Sequence, residues 1–350
     1  MLAVTFADLL FRARQFAIAI VGVGLVLALA LALSGLADGF RAETNATVNG
    51  FGASSWVMSD SAHGSIIAFG AFPAADVSEV ARQAGVHRAS QVLVAPGQAV
   101  LVTGAAGPHW VTLVGVQPGG LGDPAVALGH RLEGPDQVVV DSMLQASPGG
   151  MLYLGGLGYR VVGIVEGRTL TGGTPLVYLP LGSVQRAVTG GKPLVTAVAT
   201  SGTPTHVPPG LVVLTPAAVV TDTVGEFGGA VSSIEGTRML MWIVAAAIVA
   251  FTLYVAALDR RRDFAVLKAL GASSAALFMS LAIEAVVVTL LAAILAEVLA
   301  SLLKPIFSQV VDITPDARLV LPLVAVAVGV VACLAALHRV TGADPAAAFG

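Results

Sequence analysis

The residues best suited to proton transfer or metal binding are the histidines His63, His87, His109, His130, His206 and His338. None pairs with another at the spacing of a helix- or hairpin-borne ligand set, so no zinc site follows from them. Gly190-Gly191-Lys192 has the glycines and lysine of a phosphate loop, but Pro193 stands where a Ser or Thr hydroxyl must follow. Ser301 and Lys304 have the spacing of a serine–lysine pair. They lack the companion motifs and lie at the end of an apolar run, where a lysine snorkels to the interface. There is no H-E-x-x-H and no G-x-S-x-G. Asn45-Ala46-Thr47 is a glycosylation sequon by pattern alone. The single cysteine, Cys333, sits among apolar residues, which excludes a disulfide framework and a thiolate cluster. No catalytic constellation emerges, and an enzyme is not expected.

Two other groups of charged residues remain. Glu284 and Glu297 interrupt an otherwise apolar stretch, and an ionisable group at such depth faces protein or a wet cavity. One reading is a proton or substrate relay. The other places Glu284 in hydrogen bonds inside a helix bundle and Glu297 near the outer interface. Their spacing puts them on different sides of an ideal helix, and a relay needs a longer chain of such groups, so the second reading is preferred. The second group is Asp259-Arg260-Arg261-Arg262-Asp263-Phe264, which runs on through Leu267, Lys268, Leu270 and Gly271. Phe264, Leu267, Leu270 and Gly271 share one side of a short amphipathic helix that ends at glycine.

The composition says what must position these groups. Of the 350 residues 56% are hydrophobic and only 11% charged, and the mean hydropathy is +0.88, far from a soluble average. The chain belongs to the membrane class. A net charge of −3 gives no reason to expect a nucleic-acid partner.

In order, residues 1–15 suit an interfacial amphipathic helix, with Phe6, Leu9, Leu10 and Phe11 beside Asp8, Arg12 and Arg14. Residues 16–36 are uncharged and long enough to cross a hydrocarbon core of about 30 Å. A signal peptide is the competing reading of this start, but its apolar core would be shorter, so a retained first span is expected. Residues 37–237 are rich in Gly and Pro, with short strand-like runs at 110–116, 137–140, 160–165 and 174–179 between turn-forming clusters. Helical pieces are predicted at 74–84 and 181–188, and subdomain borders at Pro208-Pro209-Gly210 and Thr215-Pro216. These elements suffice for an α+β domain facing water. The chain turns helical again from Pro216 and enters a second span at 239–258, with Trp242 and Tyr254 near its ends. The charged helix at 259–271 follows. A third span at 272–303 is longer than one crossing needs, so a tilt or a break is expected. A loop at 304–318, a fourth span at 319–337 and a tail at 338–350 complete the chain.

Positive charge close to the spans orients them. Arg12, Arg14, Arg260, Arg261, Arg262, Lys268 and Arg339 fall on one side, and Arg41, Arg238, Lys304 and Arg318 on the other. Four spans with this bias put both termini and the arginine segment in the cytoplasm and residues 37–237 outside.

The 259–273 segment resembles the E-R-x-R-E-[IF]-[GA]-[VL]-[LM]-[RK]-A-[LM]-G-A-[ST] signature of MacB/FtsX-type (type VII) ABC transporter permeases, with Asp259 and Asp263 in place of glutamates. Ile283-Glu284-Ala285 is similar to the family's acidic position in the third span, and Arg339 with Asp344-Pro345 through Phe349 to its closing pattern. Val138–Asp141, Leu152–Gly156, Tyr159–Val165 and Pro175–Leu181 follow the order of the MacB-like periplasmic core domain; residues 40–110 match it least. The resemblance implies four transmembrane helices with a large α+β extracytoplasmic domain between the first two, and first and second spans that continue outward as a stalk. It also implies a multi-pass protein of the bacterial cytoplasmic membrane, with two copies of a cytoplasmic ATPase, a second permease copy (homodimer or related heterodimer) and membrane lipid as its partners. ATP and Mg would be bound by the ATPase and no cofactor by this chain. In the family's scheme of mechanotransmission, Asp259, Arg260, Arg261, Arg262, Asp263, Phe264, Leu267, Lys268, Leu270 and Gly271 would form the coupling helix. Export or extraction of a substrate is the expected outcome, and the long outer domain favours it. Two alternatives stay open: an FtsX-like regulator of a cell-wall hydrolase, and a membrane-anchored receptor without transport.

Overall fold

The computed structural model describes residues 13–105, 107–259, 266, 274–303 and 315–341. The chain opens with helix α1 (Ala13–Gly50), strand β1 (Ser55–Ser59), the two-residue β2 (Phe72–Pro73), helix α2 (Val77–Ala81) and strands β3 (Arg88–Val102) and β4 (Pro108–Val116). Next come β5 (Leu128–Gly129), β6 (Gln137–Asp141), β7 (Met151–Leu154), β8 (Leu157–Val165), β9 (Thr169–Leu170), β10 (Thr174–Pro180) and helix α3 (Leu181–Val188). β11 (Leu194–Val195), β12 (Ala197–Ser201) and β13 (Leu211–Leu214) precede the helices α4 (Pro216–Gly225), α5 (Gly228–Asp259), α6 (Ser274–Leu303) and α7 (Pro315–Thr341). Two compact units result. One is Gly39–Gly229, and the other combines the segments on either side of it.

The first unit is built on a mixed sheet of order β13-β1-β12-β3-β4-β10-β6-β8-β5, with β7 bridging β3 and β8 and β9 paired to β10. Pairing is antiparallel except for β10 with β4 and β6 with β8. Alternate residues of each strand point to opposite faces, and here both faces are covered. Val57, Leu93, Val138, Val140, Val177 and Leu179 enter one core, where α2 supplies Val77 and Val80 and α3 supplies Leu181 and Val184. Their neighbours Trp56, Met58, Val92, Val94, Val139, Leu176 and Tyr178 enter the other, closed by Val48 of α1, Val219 of α4 and Ile66. Burial on both sides accounts for an unbroken apolar run such as Val138-Val139-Val140.

The second unit is helical. Val23, Leu27, Ala28 and Leu31 of α1 pack with Ala245, Val249, Leu253 and Ala257 of α5 and with Ala285, Ala292, Ala293, Ala296 and Ala300 of α6. Leu321, Ala325 and Val328 of α7 join them. Small residues dominate because helices in lipid gain from close backbone approach rather than from water release. Gly329 shows how close: a Cβ there would lie 2.9 Å from the Thr289 hydroxyl and 3.2 Å from the Ala285 carbonyl oxygen. Among the described residues three helices are long and apolar enough to cross a membrane, within Phe16–Gly50, Gly228–Asp259 and Leu281–Leu302. The apolar part of α7 is the shorter Arg318–Val331.

Several boundaries differ from the sequence expectation. Helix α1 runs past the expected span end at residue 36 through Asp38, Arg41 and Glu43 to Gly50, the outward continuation that the resemblance implies. Its 38 residues make roughly 57 Å at about 1.5 Å each, well beyond a hydrocarbon core of about 30 Å. Helix α6 is continuous over Ser274–Leu303, with no break. Residues 315–318, expected in a loop, form the first turn of α7, where proline is well tolerated; Pro322 lies inside the same helix. The predicted subdomain borders instead flank β13, which pairs with β1 in the same sheet. There Thr215 caps α4, its hydroxyl accepting from the Ala218 amide at 3.2 Å. Helix α2 is shorter than predicted because residues 74–76 take a tighter turn. Strands β4, β6, β8 and β10 contain the four runs read as β from the sequence.

Candidate functional site

Of the predicted coupling residues, Asp259 closes α5, and Val266 within that segment is helical and exposed. Arg260, Arg261, Arg262, Asp263, Phe264, Leu267, Lys268, Leu270 and Gly271 lie outside the described residues, as do most of 1–15, the greater part of 304–318 and residues 342–350. The two acidic residues of α6 are resolved, and they differ. Glu284 is completely buried in the helical unit. Glu297 is partly exposed and forms an ion pair across to α7, its Oε1 3.1 Å from Nε of Arg318. At the far end of α5, Arg238 stacks over the Trp242 ring at 5.3 Å and donates to the Ser34 hydroxyl of α1 at 3.1 Å. That contact ties two apolar helices at a level where aromatic and basic side chains anchor an interface.

The glycines that resemble a phosphate loop end a helix instead. Gly190 and Gly191 take φ of 64° and 83° after α3, and the Gly191 amide donates to the Gln185 carbonyl at 2.9 Å, which is a helix stop. Asn45 is exposed on α1 and accepts from the Asn49 side chain, whereas Thr47 is buried. Among the described residues no group of three or more His, Cys, Asp and Glu is placed to hold a metal ion.

The most developed polar site was not singled out in the sequence. It lies where the last turns of α1 meet the segment from Glu166 to Gly173. Glu43 is nearly inaccessible, and its carboxylate accepts from the Thr169 hydroxyl at 3.0 Å and the Gly172 amide at 3.0 Å. One turn on, the Thr47 hydroxyl donates to the Thr169 carbonyl at 3.0 Å. Arg168 donates from Nη1 to the Ala46 carbonyl at 2.8 Å, a cation placed at a helix C-terminus where the dipole favours it. A Cβ at Gly50 would meet that guanidinium at 2.5 Å, so a larger residue here would push the Arg168 side chain aside. From the sheet side, Asp141 at the end of β6 accepts from the Arg168 amide at 2.7 Å and the Met143 amide at 2.9 Å. Burial raises the Asp141 carboxyl above its ordinary range, against those two amides and the Arg168 charge, which pull it down. Phe40, a turn before Glu43, stacks on Phe227 at 5.3 Å between centroids. The sequence carried one signal for this site: Asp38, Arg41 and Glu43 put charge directly after an apolar run while helical spacing continued.

A sheet domain inserted between the first apolar helix and the remaining ones defines a membrane protein with a large domain outside the lipid. Residues 16–223 match the MacB-like periplasmic core domain and residues 239–345 the FtsX-like permease C-terminal domain. An uncharacterized ABC transporter permease of Mycobacterium tuberculosis is 37% identical over 350 residues, covering 100% of this chain and 99% of the relative. A second from the same organism is 35% identical over the same shares. Among solved structures, the periplasmic region of MacB from Actinobacillus actinomycetemcomitans superposes with a TM-score of 0.36 at 12% identity, over 49% of this chain and 93% of that one. The extracellular domain of the noncanonic ABC-type transporter YknZ from Gram-positive bacteria gives 0.30 at 18% identity, over 38% and 73%. The chain belongs to the MacB/FtsX-type family of ABC transporter permeases. Permease subunits of this kind are typically non-catalytic and work with a cytoplasmic ATPase in a multi-pass inner-membrane setting.

Proposed function

We propose that this permease couples ATP hydrolysis on a separate ATPase to movement of its extracytoplasmic domain, and that the movement serves export or extraction of a substrate. The observation that carries this reading is α1. One unbroken helix supplies Val23, Leu27 and Leu31 to the apolar helical core and Glu43, Thr47 and Val48 to the buried interior of the sheet unit. A continuous helix that contributes to both units can pass displacement from one to the other, because helices resist bending far more than loops do. Asp259 to Gly271 is the coupling helix in this scheme: the arginines hold it at the cytoplasmic face, and the side of Phe264, Leu267 and Leu270 inserts into a groove of the ATPase. Residues 319–337 make the fourth span, both termini are cytoplasmic, and two permeases assemble with two ATPases. This chain binds no cofactor; ATP and Mg sit on the ATPase.

The test is co-purification from membranes with the cognate ATPase. Charge reversal at Arg261 and Arg262 combined with Phe264→Asp should leave insertion intact and abolish ATPase capture. Normal capture by that variant, or ATP hydrolysis by the purified permease alone, would reject the proposal.

A further inference from the structure

Holding a helix end against a sheet does not require buried charge. Val48 already provides an apolar anchor, completely buried in the core beside Trp56 and Phe51. Apolar contact is non-directional, however, and lets a helix rotate or slip under load. The polar contacts around it are directional. Thr171, Gly172 and Gly173 have successive φ values of 59°, 76° and 87°, so consecutive amides turn inward, as in a backbone anion cradle. Thr171 is a β-branched residue in the left-handed region, a strained conformation that persists only where the surroundings enforce it. The cradle receives the carboxylate of Glu43, with the Gly172 amide and the Thr169 hydroxyl as donors. Thr47 and Arg168 add bonds to the same helix one turn further on. Asp141 then holds the Arg168 backbone at the end of β6, a strand paired to β8 on one side and β10 on the other. Glu43, Thr47, Asp141 and Thr169 are all at least nine-tenths buried, so water competes little for the Thr169–Glu43 and Thr47–Thr169 bonds. The half-buried Arg168 makes its bond to Ala46 at the exposed edge.

We infer that the Thr169–Gly173 cradle is the joint through which movement of α1 enters the sheet, with Glu43 as its pin and Arg168 as the link to Asp141. The inference rests on the coupling role proposed above and gives it a location. The joint fixes the rotation and register of the helix end against β6, so the sheet unit follows α1 as one body. Glu43 and Arg168 are positioning residues in this scheme: they touch no substrate and act only by holding the helix.

The experiment uses the full chain in lipid nanodiscs with its cognate ATPase. Cys333 is replaced by Ala, and spin labels are placed at Asn45→Cys on the helix and Arg160→Cys on the sheet, both exposed positions. With native Glu43 and Arg168 the distance between labels should be narrow and unchanged when ATP and vanadate are added. In Glu43→Gln with Arg168→Ala, nucleotide should broaden and shift that distance while ATP turnover persists. Thr47→Val removes one hydroxyl bond with nearly the same shape, and should give a smaller broadening even if the double variant does not fold. A nucleotide-driven change without these substitutions, or a fixed distance in Thr47→Val and in a folded double variant, overturns the joint. If the ATPase assembles and turns over normally in those cases, only the joint fails. If the chain captures no ATPase, the coupling role and the joint fall together.

Discussion

The two units solve opposite packing problems. In the sheet unit the cores are filled by large side chains: Trp56, Tyr159, Met58 and Leu113 are fully buried, although Phe69 and Trp110 stay exposed. In the helical unit many large side chains are outside, and alanines hold the centre. Ile18 is 75% exposed, Phe251 69% and Leu323 70%, while Ala245, Ala285, Ala292 and Ala325 are completely buried. Water drives the first arrangement by expelling apolar surface. Lipid offers no such gain, so close approach of small residues and a few polar ties take over in the second. The comparison teaches that apolar residue content alone does not locate a core; the solvent around each unit decides which face is the inside.

This contrast can be broken by matched truncations. Trp56→Ala should destabilise the sheet unit by about 3–5 kcal/mol, the range for a large buried aromatic, visible as a lower unfolding midpoint in near-UV circular dichroism. Phe251→Ala, an aromatic of similar chemistry on the outer face of α5, should change stability in nanodiscs by no more than ~0.5 kcal/mol. Equal effects would show that the helical unit is not surrounded by lipid as described.

A second prediction concerns the charge at the joint. The folded state holds the Asp141 proton more tightly than the unfolded chain does, because burial penalises the carboxylate. The stabilisation from that proton is fully present below the unfolded value and is lost as pH rises through the raised folded value. Asp141→Asn removes this titration. The stability of the native protein should therefore fall relative to the variant as pH rises across that window, in denaturant unfolding at a series of pH values. A constant gap, or a gap of opposite slope, would contradict the burial of this group.

A small effect is also expected for the ion pair between α6 and α7. Arg318 and Glu297 are both partly exposed, so Arg318→Ala should cost only ~0–1 kcal/mol in a detergent melting assay. A larger loss would mean that the pair sits in lipid rather than at its surface.

Much of this organisation is legible in the residues. The apolar runs identify the helices of the bundle because a hydrocarbon core requires long uncharged stretches. Strands β4, β6, β8 and β10 are marked by β-branched runs between glycine and proline turns, and Leu181–Val188 is predicted with the bounds it has. The strand Arg88–Val102 is hidden in the sequence by Pro96 and Gly97, which the structure absorbs in a register shift between Ala95 and Gln98. Glu284 and Glu297 are distinguishable by spacing, but only packing made one wholly buried and the other an ion-pair partner.

The sequence by itself determined the apolar segments that form the helical unit, the α+β character of what lies between the first two, and the signature at Asp259–Ser273 that marks a MacB/FtsX-type permease. These depend on local composition and periodicity, which each stretch carries alone. Only the tertiary structure decided that the outward continuation of α1 ends at Gly50, and that Glu43 meets Thr169 and Gly172 across more than a hundred positions of chain. A carboxylate, a threonine and two glycines hold no information about each other until the sheet brings β9 beside the helix end. Sequence spacing does not encode that proximity, and the joint exists only in the folded domain.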